Sequence, residues 1–310
     1  MQNIVVTGAG GFSGAELVHY LHSKGHNVTA VIRSGLGRLA GSAFSSRNLK
    51  VVQADLSMPI DLPHTADAIF HIAARSPSAG VSVDSMVRDN VLATRNLLAY
   101  AKATDVKLFV FFSSLSVHGE VVEEVLDEET PIRNPSPYGL TKLICEEILR
   151  GESMSMRSLA IRLPGVIGRK SMRNWLSRSL VAAYAGEDIK AFNADAPFNN
   201  AVHVADLCNF SGGLLKKVWE GFDVVTLGAA GQLPVGTVAK LIAEAGARGS
   251  RVIIENAGKT SYRISSVRAQ AQYSYSPMNI EAMLKQFILE NSDLSDTEGA
   301  IRGGVIDGIH

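Results

Sequence analysis

The 310-residue chain is short of cysteine, of net charge and of long apolar runs. Its two cysteines, Cys145 and Cys208, cannot build a disulfide framework, which fits a reducing intracellular setting. Both read as small packing residues rather than nucleophiles. Lys plus Arg number 30 and Asp plus Glu number 30, so the formal net charge is zero. That balance excludes a nucleic-acid binder built on a general basic field, and it excludes an acidic disordered chain. No uncharged run is long enough to span a bilayer, and Met1–Thr7 has no basic start. The expectations are a cytoplasmic protein with no membrane and no nucleic-acid partner. The eight histidines are scattered without His-x-x-x-His or zinc spacing, so no metal is expected. There is no internal repeat.

What is present suits a large core. Hydrophobic residues make up 46% of the chain, and the length fits two domains or one domain with a lobe. Apolar runs at Ile4–Thr7, Val28–Ile32, Leu49–Val52, Ala68–Ile72, Leu108–Phe112 and Leu159–Leu163 read as strands. Helical patterns over Gly14–Lys24 and Met86–Lys102 separate some of them. Buried runs alternating with helices predict an α/β fold, a doubly wound parallel Rossmann sheet. The texture changes near Gly165. A dinucleotide-binding domain is therefore expected over residues 1–165, with returns near 201–228. A smaller, interleaved α+β substrate lobe is expected over 166–290, and a loose tail over 291–310.

Gly8, Gly11 and Gly14 lie between the first strand and the first helix, in Thr7-Gly8-Ala9-Gly10-Gly11-Phe12-Ser13-Gly14. Small residues there allow a tight turn and let a pyrophosphate reach backbone N–H groups at a helix N-terminus. An ordinary glycine-rich turn is the plain alternative. Dinucleotide sites often end their second strand on a carboxylate that takes the ribose 2′-hydroxyl. Here the strand ends Ile32-Arg33, with Arg38 following, and no carboxylate is present. An arginine suits a 2′-phosphate, so NADP is favoured over NAD, unless Arg33 is merely a solvated loop residue.

Tyr138 and Lys142 stand four apart in Pro137-Tyr138-Gly139-Leu140-Thr141-Lys142, which puts both on one helical face. An ammonium beside a phenol favours the phenolate, and a phenol so tuned can exchange a proton with a substrate oxygen. Such pairs also occur on ordinary helix surfaces. Ser114, or else Ser116, at the end of the fifth strand could hold that oxygen, although serine-rich strand ends are common without chemistry.

Together these residues resemble the extended short-chain dehydrogenase/reductase family, also called the NAD-dependent epimerase/dehydratase family. Further motifs support it: Asp55-Leu56, His71-Ile72-Ala73-Ala74, Asn90, Arg162-Leu163-Pro164-Gly165 and Val202-His203-Val204-Ala205-Asp206. The resemblance implies a catalytic trio of Ser114, Tyr138 and Lys142. It implies Asp55 and Leu56 at the adenine, Ala73 and Ala74 along the phosphate and ribose, and an Asn90 that steadies the active-site strand. It implies Asn174 on the diphosphate of a nucleotide-sugar substrate, and a homodimer formed by helices beginning near Ser85 and Pro137.

Departures narrow the implied chemistry. Leu115-Ser116 stands where the family's dehydratases carry an Asp-Glu pair. Asn199 and Asn200 replace an arginine that often grips the substrate's phosphate; Arg169, Arg173 or Arg178 could compensate. His118 replaces a frequent tyrosine. Asp127-Glu128-Glu129 reads as a solvated acidic loop. The favoured activity is NADPH-dependent 4-keto reduction of a nucleotide-activated sugar. The alternatives are a 4-epimerase with retained NAD, a reductase of non-sugar carbonyls and a non-catalytic dinucleotide sensor.

Overall fold

In the computed structural model, residues 1–40, 47–60, 62, 65–152, 156–255 and 261–293 are described. The chain opens with β1 (Asn3–Thr7), α1 (Phe12–Ser23), β2 (Asn27–Ile32), β3 (Leu49–Gln53) and β4 (Ala68–His71). A short α2 (Val83–Met86), capped by the Ser82 hydroxyl, runs through a π-helical stretch at Val87–Leu92 into α3 (Ala93–Ala103). The sequence reads this as one helix from Met86. The structure adds a turn at the front and the wide π turn, which sets Asp89 and Asn90 inward, both buried. Then follow β5 (Leu108–Ser114), β6 (Val125–Leu126), α4 (Pro137–Glu152) and β7 (Arg157–Leu163).

The rest of the chain is more fragmented. It comprises β8 (Gly165–Ile167), α5 (Trp175–Ala185), β9 (Ile189–Phe192), β10 (Pro197–Phe198), β11 (Ala201–His203) and α6 (Val204–Leu214). After these come β12 (Phe222–Thr226), β13 (Leu233–Pro234), α7 (Val235–Gly246), β14 (Val252–Glu255), β15 (Arg263–Ile264), α8 (Val267–Tyr273) and α9 (Ile280–Glu290).

Seven strands form one parallel sheet in the order β12-β7-β5-β4-β1-β2-β3. Its strands are apolar on both sides because helices cover both faces, and the core divides accordingly. Val6, Phe70 and Val110 pack with Leu17, Val18 and Leu207 on one face. Val5, Ile69 and Phe109 pack with Leu97, Leu98 and Leu149 on the other. Of the segment near 201–228, β12 joins this sheet, whereas β11 pairs with β8 in a separate two-stranded sheet. A third core, including Leu180, Ile242 and Phe287, holds α5, α7 and α9 together.

Asn291, expected in a loose tail, is buried. Its side chain donates to the Phe287 and Gly168 carbonyls and accepts from the Lys170 N–H. Three hydrogen bonds tie it to the fold, a role composition could not reveal. Residues 294–310 lie outside the described residues.

The order of the sheet sets the site. Chain progression leaves β1 toward β2 on one side and toward β4 on the other. The carboxyl ends of β1 and β4 therefore diverge into a crevice, where open α/β sheets take their ligands.

Candidate active site

That crevice is a cleft of about 870 Å³. Its floor is the glycine loop. Gly8 has φ +67°, and a Cβ there would press on the Ala73 backbone; a Cβ on Gly14 would collide with the Gly8 carbonyl. The loop lies flat against the turn after β4 because neither residue carries a side chain, leaving a shallow cradle at the start of α1. The described residues thus fit a pyrophosphate-bearing cofactor.

A buried relay fixes the two loops to each other. The Thr94 hydroxyl donates to the Asn90 carbonyl (2.7 Å) and receives the Nε2–H of His71 (2.9 Å). His71 Nδ1 therefore accepts from the Thr7 hydroxyl (2.7 Å), whose oxygen accepts the Ile72 and Ala73 N–H groups. Burial, with Lys142 nearby, pushes His71 down to about 3, so the ring stays neutral.

At the far side of the glycine loop, Arg33 lies 2.5 Å from Asp89 and 3.7 Å from Asp55. Arg75 and Arg88 also pair with Asp89. Burial opposes ionisation of Asp89, but hydrogen bonds from Arg88, Arg33 and Arg75 hold its carboxyl at about 2. Hydrogen bonds from Ser57 lower Asp55. Three guanidiniums here face two carboxylates. Arg38 is turned elsewhere: it lies over the Phe12 ring (4.8 Å) and donates to the Arg169 and Lys170 carbonyls across the mouth of the cleft.

The opposite wall is α4 against the end of β5. The Ser136 hydroxyl accepts the Gly139 N–H in the first turn. A Cβ on Gly139 would collide with the Ser116 carbonyl. This close approach puts the helix directly on the turn after β5 and brings Tyr138 to the same cleft wall as Ser114. Lys142 is 2% exposed. Its ammonium donates to the Phe112 carbonyl (2.7 Å) and lies 5.9 Å from the Tyr138 ring centre. Ser114 Oγ is 3.1 Å from Ser116 Oγ and also accepts the Ser116 N–H.

Gly8, Gly11, Phe12, Ser13, Gly14, Arg33, Arg38, Asp55, Leu56, Ala73, Ala74, Ser114, Tyr138, Lys142 and Asn174 all line this one cleft. Asn90 and Ser116 do not. Asn90 stands behind the wall, accepting from the Arg75 N–H and donating to Thr141 Oγ1, while Ser116 supports Ser114. Asn174 faces the cleft, but its amide caps α5 through the Ser177 N–H and donates to the Val166 carbonyl. Of the three candidate substrate arginines, Arg173 lines the cleft. Arg169 instead pairs with Asp293, and Arg178 is exposed outside it. Asn199 is buried and ties Ala229 and Ile264 together through three hydrogen bonds.

Some groups at the site were not legible as such. Glu146 and Arg162 form a buried pair behind Ser113. His118 bridges Arg162 and the Thr130 carbonyl; burial and Arg162 lower its pKa. Glu128, read as solvated, has a side chain 7% exposed and accepts from the Thr226 backbone and hydroxyl. The acidic run hid this inward-turned residue. Both cysteines are buried, and burial raises both thiols, Cys208 to about 12. No group of three or more metal-ligating side chains occurs among the described residues, nor any helix long and apolar enough to cross a membrane.

A glycine cradle at the switch point of a parallel sheet, walled by a serine, a tyrosine and a buried lysine, is the architecture of a dinucleotide-dependent Rossmann protein. The chain belongs to the NAD dependent epimerase/dehydratase family, whose model matches residues 4–228. It is 26% identical over 211 residues to a D-erythronate dehydrogenase of Haemophilus influenzae, covering 65% of this chain and 66% of that one. It is 32% identical over 151 residues to a UDP-glucose 4-epimerase of Halalkalibacterium halodurans, covering 47% and 44%. The chain thus spans about half to two thirds of the length of the curated relatives it matches. Among solved structures, MoeE5 in complex with UDP-glucose and NAD superposes with a TM-score of 0.77 at 25% identity, covering 93% of this chain and 98% of that one.

Proposed function

We propose that this protein is an NADPH-dependent oxidoreductase that reduces the 4-keto group of a nucleotide-activated sugar. The observation that carries the reading is the single cleft in which Ser114, Tyr138 and Lys142 face the glycine cradle. Bound reduced nicotinamide supplies the hydride. The Ser114 hydroxyl holds the substrate carbonyl oxygen, and Tyr138 donates its phenolic proton to that oxygen as it gains charge. Lys142 stabilises the phenolate left behind until solvent returns the proton. Gly8, Gly11, Phe12, Ser13 and Gly14 receive the pyrophosphate, with Arg38 beside them. Asp55 and Leu56 meet the adenine; Ala73 and Ala74 flank the phosphate and ribose; Asn90 secures the wall. Asn174 and Arg173 lie on the substrate side.

The excess of guanidinium over carboxylate around Arg33 supports NADPH, since a 2′-phosphate would bring the missing negative charge. The likeness to nucleotide-sugar proteins supports the sugar. A second reading, a dehydrogenase of hydroxy acids that carry no nucleotide, is favoured by Asn199. Where nucleotide-sugar members of the family often carry a phosphate-gripping arginine, this chain has an asparagine buried as a strut.

The test is cofactor oxidation or reduction, followed by nicotinamide absorbance. NADPH is offered with UDP-4-keto-6-deoxyglucose, and NAD+ or NADP+ with sugar acids such as erythronate. Turnover of the keto sugar with NADPH is expected. Turnover of sugar acids alone establishes the second reading. Tightly retained NAD with interconversion of UDP-glucose and UDP-galactose would make the protein an epimerase. The exposed Val83, Val87, Leu140 and Ile144 on α2, the π turn and α4 support a homodimer formed through those helices.

A further inference from the structure

Successive turns of α4 grip successive residues of β5. Lys142 donates to the Phe112 carbonyl (2.7 Å), and one turn later Glu146 accepts from the Ser113 hydroxyl (2.5 Å). Ser113 and Glu146 are 4% and 0% exposed, so water does not compete for this contact. Arg162, at the end of β7, closes the group from the other side. Its Nη2 lies 2.7 Å from Glu146 Oε2 and its Nε 3.2 Å from Oε1. Arg162 also donates to the Glu128 carbonyl and to His118, which anchors it to the loop that leaves β5.

The peptide unit that receives the Lys142 ammonium is the one joining Phe112 to Ser113. With the Ser113 side chain fixed on Glu146, that unit cannot rotate without breaking a buried, charge-assisted hydrogen bond. The next residue is Ser114. We infer that Ser113, Glu146 and Arg162 form a positioning clamp that sets the Lys142 ammonium beside Tyr138 and aims Ser114 into the cleft. Ser113 is the positioning residue that can be tested without moving a charge. The inference rests on the proposed roles of Tyr138 and Lys142.

The test is single-turnover hydride transfer by the full chain, with NADPH and the keto sugar that the parent reduces. Ser113→Ala is expected to stay folded, with its melting temperature lowered by a few degrees by the loss of one buried charge-assisted hydrogen bond, and to bind NADPH as the parent does. Its hydride-transfer rate should fall about tenfold, while the substrate concentration giving half the maximal rate changes little. Ser113→Thr, which restores the hydroxyl, is expected to bring the rate back. A rate unchanged in folded Ser113→Ala overturns the clamp, as does a folded Ser113→Thr that stays with the alanine variant. Full turnover by Tyr138→Phe would instead overturn the proposed function, which keeps the two failures apart.

Discussion

Replacing Arg162 by methionine should be among the most destabilising single changes at this site. Its guanidinium is 6% exposed and the Glu146 carboxylate 0% exposed. The change keeps most of the apolar bulk but strands a carboxylate in the core with Ser113 as its one remaining described partner. It also removes the donors to His118 Nε2 and the Glu128 carbonyl. Breaking one half of a buried pair costs about 3–5 kcal/mol, against about 0–1 kcal/mol for an exposed pair. Removing both charges, in Arg162→Met with Glu146→Leu, leaves no stranded ion. It should recover most of the loss, with about 1–3 kcal/mol retained for unpartnered groups at Ser113 and Glu128. Urea unfolding of the parent, both single variants and the double variant at neutral pH gives these values and the coupling between the sites. A loss below about 1 kcal/mol for Arg162→Met would refute the reasoning, because the pair would then be behaving as though solvated.

Other perturbations test neighbouring parts of the account. The proposed NADPH preference predicts that Arg33→Ala weakens NADPH by about ten- to a hundredfold and NADH far less, the worth of a charge-assisted bond to a 2′-phosphate; equal losses in fluorescence titrations of the two cofactors would contradict this. Gly14→Ala should abolish cofactor binding in equilibrium dialysis, because the added methyl meets the Gly8 carbonyl; normal affinity would show that the cradle is not used. His71 is held neutral at about 3 in the fold, whereas an unfolded histidine titrates near 6.5. Its share of stability is full above that value and should fall by about 1.4 kcal/mol per pH unit below it, as the unfolded chain takes up the proton. Urea midpoints from pH 7 to pH 5 should drop more steeply for the parent than for His71→Asn, and matching slopes would count against it. Leu140→Lys with Ile144→Lys on α4 should leave a monomer in sedimentation if those side chains are the dimer face; an unchanged mass would remove that face from consideration.

Much of the fold was legible because its strands are buried on both faces and so stand out as apolar runs. The glycine loop was legible because close backbone approach tolerates no other residue. The less legible features have specific causes. Arg162 sits within an apolar strand, and Glu146 one turn beyond Lys142; each reads as an ordinary charge until the sheet brings them together. The Lys142–Glu146 spacing, with an arginine inside a buried run, was the available signal. Asp89 gave none, because a π turn rather than regular helical spacing faces it inward. The role of Asn291 depends on contacts across more than a hundred residues.

The most direct measurement of the central claim is single-turnover hydride transfer by Tyr138→Phe, with NADPH and the keto sugar that the parent reduces. The account expects cofactor affinity close to the parent's and a rate lower by roughly a hundred- to ten-thousandfold, the usual worth of a positioned general acid. Hydride transfer at the parent's rate would contradict it.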